Sequence, residues 1–193
     1  MDRKKERVLS FFDVEIGQFI LGDLDVLAHI RPHPSTQSGG CTIPQAMLIF
    51  ATLDLLGFLV NDDPNASKTN TAKNYQVIFS SDLGLFPEEY QVATDVLVKL
   101  FRHGIVHQFF SKASAMGKFN TSMPHILRSG TVPCLNIDRF TEDFRNAVHM
   151  LRDRIASGEY NFLTERINDR LDVLARDDYE DLWKFVGGNL EKE

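Results

Sequence analysis

The chain has 193 residues, with 27 Asp and Glu against 21 Lys and Arg, for a net charge of −6. Its 43% hydrophobic and 25% charged residues match a folded globular chain, which excludes a wholly disordered or collagen-like one. Two cysteines, Cys41 and Cys134, are too few for a disulfide scaffold.

The opening MDRKKERVLS has no apolar core of a secretion signal, so a cytoplasmic protein of one domain, residues 1–193, is expected. Residues 12–31 carry Val14, Ile16, Phe19, Ile20, Leu24 and Leu27 at helical spacing, and Arg31-Pro32 stops that helix. PHPSTQSGGC at 32–41 is loop chemistry. Residues 43–61 form an apolar helix with Pro44 in its first turn. Asp54 in its interior favours a buried core helix over a membrane span. A polar loop covers 61–70, and 71–80 fits either a short helix or a strand.

Pro87-Glu88-Glu89 opens the next helix, where a proline and two carboxylates suit the exposed N–H groups of a first turn. Its apolar face is Ala93, Val96, Leu97, Leu100 and Phe101. From about 108 to 137, Gly117, Pro124, Gly130 and Pro133 punctuate short apolar runs, which predicts one or two β-hairpins. Asp138 is the expected N-cap of a helix carrying Phe140, Phe144, Val148, Leu151 and Ile155, ended by Gly158. A C-terminal helical extension, about 159–187, divides into an amphipathic helix at 160–175 and a short helix from Asp178 to Val186. The fold class is therefore mainly α, a helical bundle with a small β-hairpin insertion.

Charge is unevenly spread. Val96 to Ile137 holds no Asp or Glu but carries Lys99, Arg102, Lys112, Lys118 and Arg128, with His103, His107 and His125. This window is +5 and the remainder of the chain −11. A cationic surface there would suit phosphate or RNA, through Lys99, Lys112, Lys118 and Arg128. The plain alternative is a hairpin that happens to lack acids.

Within the window lies RHGIVH at 102–107. Here the sequence resembles the HEPN superfamily, helical bundles named for higher eukaryotes and prokaryotes nucleotide-binding. The family's motif is an arginine, commonly followed by Asn, Asp or His, then a histidine after four to six residues. Arg102, His103 and His107 fit that form, and the helix order around them extends the resemblance over most of residues 15–157. The resemblance implies a metal-independent endoribonuclease, toxin or defence related, acting as a homodimer and accompanied by an antitoxin.

In that chemistry a ribose 2′-OH attacks the adjacent phosphate. His107 is the general acid or base, Arg102 binds the phosphate, and His103 assists. The alternative is a non-catalytic HEPN-like module that binds RNA, nucleotide or protein. Catalysis predicts Arg102 and His107 accessible in a cleft, whereas the binding module predicts them buried and saturated with hydrogen bonds. Positions five apart on a regular helix diverge by about 140°, so a dimer cleft is needed to gather both groups. Phe109 stands where some toxin-type members have a modifiable tyrosine, so that regulation is not expected.

Asp54 is the expected orienting partner, pairing with Arg102 or a histidine from a facing helix; the alternative places it at a helix edge reaching solvent. No cofactor and no metal is expected. His103 and His107 lack a third ligand nearby, and His29, His33 and Cys41 match no familiar zinc spacing.

Overall fold

A computed structural model describes residues 2–35, 39–108 and 114–190; the side chains of 106–108, 129 and 176–190 lie outside that description. The fold is mainly helical with one small sheet. The N-terminal helix begins earlier than its apolar periodicity suggests. The Asp2 side chain accepts from Lys4 N and caps α1 (Arg3–Ser10). The helix continues through a π-helical stretch, Phe11–Leu21, into α2 (Gly22–His29), ending just before Pro32. Val8, Phe12, Ile16, Leu21 and Leu24 turn inward from it.

The central element is α3 (Thr42–Val60), which touches α2 and several of the later helices. By length and hydropathy it is the one helix among the described residues that could cross a membrane, and most of it is buried within the fold. Its Ile49, Phe50, Leu53, Leu56 and Leu59 form the middle of the core.

The ambiguous segment is a helix, α4 (Thr71–Ile78), lying along α3. The closeness of that packing depends on Gly57. A Cβ there would sit 2.2 Å from the Asn74 carbonyl oxygen. Tyr75 from α4 donates to the Phe50 carbonyl at 2.5 Å and joins Phe50, Phe79, Tyr90 and Phe140 in a linked aromatic core.

The helix opened by Pro87 is segmented. It runs as α5 (Glu88–Val92), a break at Ala93, α6 (Thr94–Val96), a π-helical stretch Leu97–Arg102 and α7 (His103–Gln108). The break and the wider π turn rotate the apolar face. Thr94, Leu97, Val98, Phe101 and Ile105 are buried, while Val96, expected inside, is exposed.

The insertion is a three-stranded sheet in the order β1-β3-β2. β2 (Ile126–Ser129) and β3 (Val132–Asn136) make the expected antiparallel hairpin, and β1 (Ala115–Gly117) pairs parallel to β3. Two expectations about the following helices are corrected. The N-cap of α8 (Ile137–Ser157) is Asn136, whose side chain accepts from Arg139 N, and not Asp138. Asp138 instead sits in the first turn and pairs with Arg31 at 2.6 Å. After Gly158 (φ +86), α9 runs unbroken from Asn161 to Leu190, so the two separate C-terminal helices are one. No glycine or proline interrupts it between 161 and 186, so nothing local stops its backbone.

Because Gly57 has no room for a side chain, Gly57→Ala is expected to destabilise the fold by about 3 kcal/mol through overpacking. Urea denaturation measures this; an unchanged midpoint would contradict the close α3–α4 approach.

Candidate functional site

Asp54 and Gly57 lie three apart on α3, and Thr71 and Asn74 lie three apart on α4, so each pair occupies one helix face. The glycine lets α4 come close, and the α4 donors then reach the carboxylate. Thr71 Oγ1 donates to Asp54 Oδ2 at 3.1 Å, and Asn74 Nδ2 donates to Oδ1 at 3.3 Å. Arg102, at the end of the π stretch, donates from Nη2 to Asp54 Oδ2 at 2.8 Å. The two side chains keep only 17% and 13% of their surface exposed. An apolar helix can carry this carboxylate because three donors and an opposite charge replace the water it loses. The pair's field reaches the next aromatic. Tyr75 is pushed well above the ordinary tyrosine range, first by burial and then by the Asp54 charge, with Arg102 opposing.

His103 follows directly as the first residue of α7 and is half-buried. The side chain of His107 lies outside the described residues, as do Lys112 and Phe109. The structure thus joins Asp54 to Arg102 and places His103 beside them in the chain.

Of the other described lysines and arginines in the acid-free window, Lys99 and Lys118 are engaged. Lys99 pairs with Asp95 at 2.9 Å on one turn of exposed helix. Lys118 Nζ donates to the carbonyls of Leu27 and Ile30 at 2.7 Å and of Ala28 at 3.3 Å. It thereby satisfies the C-terminal end of α2, where a cation also meets the favourable end of the helix dipole. Burial is the main cause of a downward shift of its ammonium pKa. Arg128 is exposed. Among the described residues, no cluster of three His, Cys, Asp or Glu side chains could hold a metal ion.

A second polar centre involves residues that sequence reasoning left apart. His125 Nε2 lies 2.9 Å from Asp143 Oδ2, and the Tyr90 hydroxyl donates to the same oxygen at 2.9 Å. Arg139 Nε lies 3.3 Å from both Asp143 Oδ2 and His125 Nε2. Arg139 Nε donates to His125 Nε2, which therefore accepts, and the Tyr90 hydroxyl is the hydrogen-bond donor to Asp143 Oδ2. Buried Asn136 fixes the turn before His125. Its Nδ2 donates to the Asn120 carbonyl at 2.9 Å, and its backbone N donates to the His125 carbonyl at 2.9 Å. Tyr90, His125 and Asp143 are too far apart in sequence to form a motif; the only local signal was a histidine beside a proline.

Comparison of the chain with protein-family models, curated proteins and solved structures gives no match.

Lys118→Met is expected to cost about 1 kcal/mol by leaving the α2 carbonyls without their donor. Arg128→Met, at an exposed position, should stay within about 0.5 kcal/mol of the parent. Thermal melts of the two variants make the comparison. Equal stability would contradict a structural role for Lys118.

Proposed function

We propose that the chain is a HEPN-like helical module that works by binding, as a cytoplasmic homodimer, and does not turn over RNA. The observation that carries this reading is the state of Arg102. Its guanidinium is mostly buried and held by the Asp54 carboxylate, inside a network completed by Thr71 and Asn74. A phosphate would have to compete with a carboxylate already in contact, in a place largely closed to solvent. The engagement of Lys118 supports the same reading, because its ammonium is committed to the carbonyls at the end of α2, and Lys99 has a carboxylate beside it.

A second reading is kept because one observation favours it. Arg102 retains 17% exposure and has an oriented carboxylate partner, an arrangement that also suits a positioned phosphate-binding group. Under that reading the protein is a metal-independent endoribonuclease, with Arg102 and His107 as its core, His103 assisting and an antitoxin as partner.

Incubation of the parent and His107→Ala with total RNA in EDTA, with mapping of the ends formed, separates the two. The binding module predicts no cleavage above buffer from either protein, both eluting as folded dimers. Cleavage by the parent alone, leaving 2′,3′-cyclic phosphate ends, would overturn it in favour of the endoribonuclease.

A further inference from the structure

Where the end of α2, the first turns of α8 and residues 119–121 meet lies an open cleft of about 670 Å³, within the size range of small-ligand sites. Gln45 of α3 lines it and is fully buried. The hydrogen bonds around Gln45 fix which way its amide points. Thr141 Oγ1 donates to the Ile137 carbonyl at 2.7 Å, so its only proton is spent. The Gln45 atom facing that hydroxyl is therefore the nitrogen, and Nε2 donates to Oγ1 at 2.6 Å. Oε1 is left as a buried acceptor with no hydrogen-bond partner. Arg145, one helical turn beyond Thr141, also lines the cleft. Its Nη2 lies against the Asp25 carboxylate, but its Nε–H is a buried donor with no hydrogen-bond partner. Buried polar groups are nearly always paired, and here one acceptor and one donor on the same cleft are not.

The charges around the cleft narrow the class of ligand. Arg31 and Arg145 line it together with Asp138 and Glu142, so its formal charges balance. Each of them also has an opposite charge close by. Arg31 pairs with Asp138 at 2.6 Å, Arg145 meets Asp25, and Glu142 lies 3.6 Å from Arg139. An ion entering the cleft would gain no net attraction and would have to break one of these pairs. Phe119, 42% exposed, adds an aromatic surface to the lining. We propose that this cleft binds a small, flat, neutral ligand bearing an amide. The ligand N–H donates to Gln45 Oε1, its C=O accepts from Arg145 Nε, and its ring lies against Phe119.

None of these groups belongs to the Asp54–Arg102 network, so binding here stands or falls apart from the state of Arg102 and from any action on RNA. The buried acceptor is the source of selectivity. A ligand that fits the cleft but lacks the N–H leaves Oε1 unpaired, and a site with an unpaired buried group discriminates strongly against such a ligand.

Titration of the full chain with 2-pyridone, N-methyl-2-pyridone and benzoate, followed by amide NMR shifts, tests the proposal. The two pyridones share a ring and a carbonyl and differ in the N–H, and benzoate adds a charge. 2-Pyridone should bind saturably and shift residues around the cleft, the N-methyl compound at least about tenfold more weakly, and benzoate not at all. Gln45→Met removes the buried acceptor at similar volume and should abolish the preference between the two pyridones. Phe119→Leu, at an exposed position, should weaken both pyridones alike and keep the preference, so this variant and the parent carry the test even if Gln45→Met does not fold. Equal affinity of the parent for the two pyridones, as expected if water serves the orphaned atoms, would overturn the proposal. So would a preference kept by Gln45→Met, undiminished binding by Phe119→Leu, or no shift around the cleft with 2-pyridone.

Discussion

A carboxylate in the middle of the most apolar helix is the constraint around which the neighbouring elements are arranged. Asp54 sits on α3, whose other inward residues are almost all hydrocarbon. Leaving it unpaired in that setting would be expensive, so the fold has to deliver donors to it. Gly57 removes the side chain that would hold α4 away, and Thr71 and Asn74 arrive with the helix. Arg102 arrives from the opposite part of the chain and supplies the balancing charge. The burial of Tyr75 against Phe50 follows from the same close approach. Position 102 therefore serves the packing of three helical segments, whatever else it does.

The same accounting changes the meaning of the acid-free window. A run without Asp or Glu is cationic along the sequence, but ion pairs form in space. The acid for Arg102 comes from α3, and the acceptors for Lys118 are carbonyls at the end of α2. The acid opposite His125 comes from α8. Among the described cations, Arg102 and Lys99 meet carboxylates and Lys118 is held by backbone carbonyls once the helices pack.

Much of the fold was legible because it rests on local signals. Helical spacing marked α3 and α8, Gly158 marked the end of α8, and the Gly130 turn marked the β2–β3 hairpin. The Asp54–Arg102 contact was one of the two outcomes left open, since a buried carboxylate demands a partner but does not name it. What was not legible depended on geometry between distant segments. The π stretch at Leu97–Arg102 turned Val96 outward against simple periodicity. The parallel pairing of β1 needed a long-range partner. Asn136 took the cap expected of Asp138, and its side-chain amide also tethers the turn before His125. The Tyr90–His125–Asp143 centre formed no sequence motif, being assembled from a helix start, a turn and a helix interior.

The most direct test of this account is a double-mutant cycle on Asp54→Asn and Arg102→Met, read by urea denaturation. If Arg102 is committed to Asp54 as the structure has it, the cycle returns a coupling of about 2 kcal/mol, because either single change leaves a mostly buried group uncompensated. A coupling below about 0.5 kcal/mol would mean that the two residues act independently, and would return Arg102 to the surface as a group available for other chemistry.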